Sequence, residues 1–70
     1  MMRVTVKLFA SFRTGREPTA IRDYIAGTTV GDVVTELKIP AELIGVMLIN
    51  SRHVKITQEL ADGDTLALSR

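Results

Sequence analysis

The sequence predicts an α+β domain in which a mixed sheet of four to five strands curls around one helix. Three observations carry that prediction. Polar and apolar residues alternate near both ends of the chain, a single apolar face at helical spacing lies between them, and turn signals cut the remainder into short strands. At 70 residues there is room for a single domain spanning 1–70, since domains usually need roughly 50–200 residues. Hydrophobic residues make up 46% and charged residues 24%, the balance of a globular chain rather than a disordered one.

The stretch Arg3-Val4-Thr5-Val6-Lys7-Leu8 alternates without a break. Strand side chains point alternately to opposite faces, so Val4, Val6 and Leu8 face a core while Arg3, Thr5 and Lys7 face away. Ser11 to Pro18 contains Gly15 and Pro18 and reads as a loop. Thr19 to Ile25 is β-prone and short, the second arm of a hairpin. Its alternation is imperfect because Asp23 shares a face with Ile21 and Ile25, which suits an edge strand.

Thr29 then opens a helix as its N-cap, with Asp32 three residues on to complete a capping box. Val30, Val33, Val34 and Leu37 fall on one face at i, i+3, i+4 and i+7. Lys38 suits the negative pole of the helix, Pro40 stops it, and Ala41 to Ile44 adds one short turn.

Val46-Met47-Leu48-Ile49 is continuously apolar, as in a strand covered on one face and partly shielded on the other. Asn50-Ser51-Arg52 reads as a tight turn, and Val54 with Ile56 as a short returning strand. Leu60 plugs the core from a loop, and Asp62-Gly63-Asp64 is a turn. Thr65 to Ser69 alternates again, with Leu66 and Leu68 inward. Two hairpins therefore flank a helix that can cover only one face of one sheet. With a right-handed crossover, the arrangement that satisfies this order is a β-grasp.

Little is left for chemistry. There is no cysteine, which excludes disulfides, thiolate metal sites and thiol nucleophiles together. The lone histidine, His53, has no catalytic partner and reads as a turn-end side chain in water. Asp62 and Asp64 lack the remaining oxygen ligands of a calcium loop, and the isolated Gly15 and Gly27 make no phosphate-binding motif. The sequence thus predicts a non-enzyme with no catalytic, cofactor-binding or metal-binding residue. A formal charge of +1 argues against non-specific nucleic-acid binding. No apolar run approaches the roughly 18–20 residues of a membrane span, and the N-terminus lacks a signal-peptide core, so a cytoplasmic protein is expected.

Two surface features point to partner docking. Arg3, Lys7, Arg13, Arg16 and Arg22 place five of the nine basic residues in the first 25 positions. They read either as a docking surface for an acidic partner or as a solvated hairpin. Phe9 shares the outward parity of Arg3, Thr5 and Lys7, and one side of the Val46–Ile49 strand also points away from the helix. A docking surface of Arg3, Lys7, Phe9 and Met47, with Arg70 as a further partner-binding residue, follows, with a loop covering the apolar spot as the alternative.

Four segments resemble one family in order and spacing over nearly the whole chain. Val4 to Arg13 is similar to the first strand and loop of MoaD-type and ThiS-type proteins, and Thr28-Thr29-Val30-Gly31-Asp32-Val33-Val34 to their helix start. Val46 to Arg52 resembles their strand-turn, with Ser51 in place of the usual glycine, and Leu60 to Leu68 their closing loop and last strand. The resemblance implies a ubiquitin-like sulfur carrier of molybdopterin or thiamin biosynthesis. Its partners would be an adenylating, ubiquitin-activating-like enzyme and a sulfur acceptor enzyme such as a molybdopterin synthase large subunit or thiazole synthase. In that family the last strand continues into a tail ending in Gly-Gly, whose carboxylate receives the sulfur. Here Leu68-Ser69-Arg70 ends the sequence without that acceptor, and Arg70 stands where the tail begins. A non-conjugating ubiquitin-like interaction module is the alternative expectation.

Overall fold

The computed structural model describes residues 1–70. Five strands and one α-helix follow one another along the chain: β1 (Met2–Leu8), β2 (Thr19–Tyr24), α1 (Val30–Glu36), β3 (Val46–Ile49), β4 (Arg52–His53) and β5 (Thr65–Ser69). Two short 3-10 turns, Ala10–Arg13 and Ala41–Leu43, interrupt the connections. The strands form one sheet in the order β2-β1-β5-β3-β4, with β1 and β5 parallel and the other pairs antiparallel. This is the β-grasp arrangement anticipated from the element order.

The alternation of β1 decides which side of the sheet is buried. Val4, Val6 and Leu8 lie at 0%, 2% and 4% exposure. They share their face with Leu66 and Leu68 of β5, and Val30, Val33 and Val34 of α1 complete the core. Phe12, Tyr24, Ile39, Ile49 and Leu60 close its margins.

A helix of seven residues is too short to hold itself together, and its ends are closed by other parts of the chain. At the N-terminus the capping box forms in full: Asp32 N–H donates to Thr29 Oγ1, and Thr29 N–H donates to the Asp32 carboxylate at 2.9 Å. The next amides, of Val30 and Gly31, donate to the carbonyls of Gln58 and Ile56 at 2.9 and 2.8 Å. Space at Gly31 is tight, because a Cβ would sit 3.2 Å from both the Ile56 side chain and its carbonyl oxygen and would require the Ile56 segment to give by a few tenths of an ångström.

The C-terminus ends in a Schellman arrangement. Lys38 takes φ +58°, its N–H donates to Thr35 and that of Ile39 to Val34. Lys38 therefore acts through its backbone, and the cation that meets the terminal carbonyls is Arg16. Its guanidinium donates to Leu37 O at 3.1 Å, to Phe12 O at 3.3 Å and to Lys38 O at 3.4 Å.

One expected strand is displaced. The returning strand of the second hairpin is Arg52–His53, not Val54 and Ile56. Asn50 and Ser51 take φ +50° and +69°, the geometry of a two-residue hairpin turn, which puts Arg52 directly opposite Ile49. After a last bond from Val54 N–H to Met47 O at 3.1 Å, the chain leaves β3, and Ile56 and Gln58 supply the carbonyls that seal α1. The first strand pair also ends one residue earlier than expected, at Tyr24, where Ile25 turns its carbonyl to Thr28 N–H.

Two outcomes test these packing and turn assignments. Val34→Asp would place a charge at a site 2% exposed, a penalty of several kcal/mol that exceeds the roughly 3–5 kcal/mol such a small core supplies. The expected thermal scan has no cooperative transition, and a melt close to wild type would show that the helix face is misassigned. Ser51→Gly removes a Cβ from a left-handed residue and should stabilise by about 0.5–1 kcal/mol, several degrees in Tm. Denaturant titration reads that gain directly.

Candidate functional site

The helix covers one side of the sheet and leaves the other open. Across that open side the register aligns Lys7 with Ala67, Ala67 with Leu48, and Leu48 with His53. Thr5 and Thr65 lie one step along, and Val46 and Ser69 one step the other way. Phe9 follows β1 on the same side, 46% exposed, its N–H donating to Leu68 O at 3.1 Å. The result is a shallow apolar strip of Phe9, Ala67, Leu48 and Val46, edged by Lys7 and His53. A hollow between Lys7, Phe9, Leu48, Thr65 and Ala67 lies at its centre.

The sequence-predicted docking residues divide on this surface. Lys7 and Phe9 belong to the open strip, and Lys7 makes no ion pair. Arg3 sits at the far end of β1, exposed, with its guanidinium 3.6 Å from Asp23. Met47 lies on the other side: it is opposite Leu68, shares the face of Ile49 and packs against the core. A continuously apolar strand has no alternation from which to choose its inner face, and the residues that β3 presents outward are Val46 and Leu48. Sequence reasoning missed both, as well as His53 as their neighbour.

The five early basic residues do not form one patch either. Arg16 is bound to helix carbonyls and Arg22 pairs with Glu36 at 2.9 Å, which leaves Arg13 and Lys7 without a carboxylate partner. Asp62 and Asp64 are likewise occupied. Asp62 accepts from Arg3 N–H at 2.7 Å, while Asp64 accepts from Ala61 N–H and from the Asn50 amide at 2.8 and 2.9 Å. No cluster of acidic or histidine side chains has the makings of a metal site, and no helix is long and apolar enough to cross a membrane.

The chain terminus leaves the sheet at the margin of the open strip. β5 pairs with β1 as far as Leu68 and with β3 to its end: Ser69 is opposite Val46, and Gly45 N–H donates to Ser69 O at 3.0 Å. Arg70 then passes directly over Gly45, where a Cβ would come within 2.8 Å of the Arg70 carbonyl carbon. Only glycine accepts so close a backbone. The Arg70 side chain is exposed and reaches Ser11 Oγ at 3.3 Å.

No protein-family model and no curated protein sequence matches the chain. Solved structures do. Over 99% of its length the chain superposes on a Pyrococcus furiosus protein described as molybdopterin converting factor, subunit 1, at a TM-score of 0.80 and 26% identity, covering 97% of that chain. It matches SAMP1 from Haloferax volcanii at 0.71 and 26% identity, over 94% of this chain and 91% of the other. A second structure, of the H. volcanii small archaeal modifier protein 1, matches at 0.78 and 24% identity over 99% and 97% of the two chains. The fold is the β-grasp of these structures.

In this β-grasp domain the helix side carries a polar clamp of its own. Tyr24 Oη donates to the Glu36 carboxylate at 2.7 Å, and Arg22 meets the same oxygen. Burial, followed by the hydrogen bond to Glu36, pushes the Tyr24 phenol from its ordinary 10.0 up to about 12, against the opposing pull of Arg22. The folded state therefore holds the phenolic proton more tightly than the unfolded chain does. Its contribution to stability is complete below pH 10 and is lost as the pH rises through 12. Tyr24 is the single tyrosine of a chain without tryptophan, so ultraviolet absorbance reports it alone. The expected titration midpoint lies near 12 in the native protein, falls in Glu36→Gln, and stays above 10 because burial is the larger cause. A native midpoint at 10 would remove the clamp.

Proposed function

We propose that the chain is a sulfur-carrier-type protein of molybdopterin or thiamin biosynthesis, acting in the cytoplasm through docking rather than through catalysis of its own. Its partners are an adenylating enzyme and a sulfur acceptor enzyme. The observation that supports this most is the position of β5. The central strand of the sheet carries the backbone at Ser69 and Arg70 to the edge of an open apolar strip, so a partner seated on Phe9, Leu48, Ala67 and Val46 has the exit of β5 beside it. The strip has the make-up of a protein-docking surface, an apolar centre with a charged and polar edge. The likeness to the molybdopterin converting factor subunit points the same way.

A carrier must also present its carboxylate on a tether. In the chain ending at Arg70, pairing with β3 holds the backbone through Ser69. A single residue adds about 3.3 Å of reach, and Arg70 lies against Gly45. The same open strip would serve a non-conjugating interaction module, for which docking alone suffices.

Intact mass separates the two. The chain ending at Arg70, and a version extended by a proline-containing tail ending in Gly-Gly, are incubated with ATP, sulfide and the adenylating enzyme of the same source. The extended form should gain the mass of one oxygen replaced by sulfur, and the shorter form should not. Leu48→Glu, at a half-exposed position, should weaken docking by about tenfold or more while the fold persists. An extended form that docks yet stays unmodified would overturn the carrier reading in favour of the module.

A further inference from the structure

The second surface of interest lies along β2, which is flanked only by β1. Leu8 N–H donates to Pro18 O at 2.8 Å, and the β1–β2 register continues that pairing through Ala20, Arg22 and Tyr24. In an antiparallel ladder the intervening residues aim their backbone groups the other way, so Thr19, Ile21 and Asp23 present unpaired N–H and C=O groups along the free edge. Neither a proline nor a bulge interrupts β2 to blunt that edge. Ile21 stands beside it on the open side, 68% exposed. On the helix side runs a groove of about 550 Å³, floored by Val6, Ala20 and Leu37 and rimmed by Arg16 and Tyr24.

Charge is uneven along this edge. Towards Asp23 the carboxylates are paired, Asp23 with Arg3 and Glu36 with Arg22. Towards Thr19, Lys7 and Arg13 have no carboxylate partner and Arg16 is bonded only to carbonyls, with Glu17 as the one nearby acid. A second copy of the chain fits the groove poorly. Its own β2 would offer Ala20, Arg22 and Tyr24 to the helix side, and the last two are already held by Glu36.

We propose that β2 accepts an extended peptide segment of a partner protein by strand addition, with apolar side chains in the groove over Ala20 and Leu37 and an acidic flank beside Arg13 and Arg16. Main-chain bonds to Thr19, Ile21 and Asp23 hold the segment, and the alternate side chains select it. This edge is distinct from the open strip, so each surface stands or falls by its own experiment.

The probe is a blocked peptide of alternating isoleucine and threonine with a run of glutamates at one end, made in both orientations and in a version with lysines for glutamates. It is titrated into the nitrogen-15-labelled chain and followed by amide shifts and hydrogen exchange. The expected result is saturable shifts and slowed exchange at Thr19, Ile21 and Asp23 with one glutamate peptide, and binding about tenfold weaker for the lysine version or for Arg13→Glu. Ile21→Pro deletes one outward donor at a position where an edge strand tolerates proline, and should abolish binding while the Tyr24 absorbance signal stays native. Three results would overturn the proposal: no saturable shift at these amides, equal affinity for the lysine peptide, or the same shifts appearing with protein concentration alone. The last would make a second copy the occupant.

Discussion

Everything in this molecule hangs on β5, the last strand in the sequence and the middle one in the sheet. On one flank Thr5 N–H and Phe9 N–H donate to the carbonyls of Asp64 and Leu68, and on the other Asn50 and Gly45 donate to Thr65 and Ser69. Its two inward leucines, Leu66 and Leu68, are fully buried. The two hairpins have no direct contact as strands, so without β5 they are separate pairs of the kind that are marginal alone. The loop before it is correspondingly well fastened: the Asp62 and Asp64 carboxylates are given over to backbone amides and to Asn50, fixing where β5 enters.

The helix shows the same dependence on distant chain. Its capping box is local, but the remaining N-terminal amides rely on carbonyls from residues 56 and 58, and its far end on an arginine from the first loop. Sequence-distant segments thus complete each terminus of a very short element. The open side of the sheet is consequently left with no element to cover it.

What the sequence made legible was whatever repeats at a fixed period or is decided within a few residues. The alternation of β1 and β5, the valine face of α1, the Thr29–Asp32 box and the Asp62-Gly63-Asp64 turn all belong to this kind. What escaped depended on partners far away in sequence. Val46–Ile49 carries no alternation, so only pairing with β5 decides that Met47 faces in and Leu48 out. Arg16 and Arg22 look like surface charge until the helix is placed against them, and Tyr24 becomes a core residue only through its parity with Met2. The candidate site was legible to the same extent: Lys7 and Phe9 from the period of β1, but not the β3 half of the strip.

The parallel pairing of β1 with β5 has a mechanical consequence. Because the two strands run the same way, the start of one and the end of the other lie at opposite ends of the ladder. Tension between the two termini therefore loads the bonds of this pair in shear, all together, instead of peeling them one at a time. A machine that grips the domain by its C-terminus pulls first on the strand most deeply inserted, and resistance to force is governed by the rate of that single disruption.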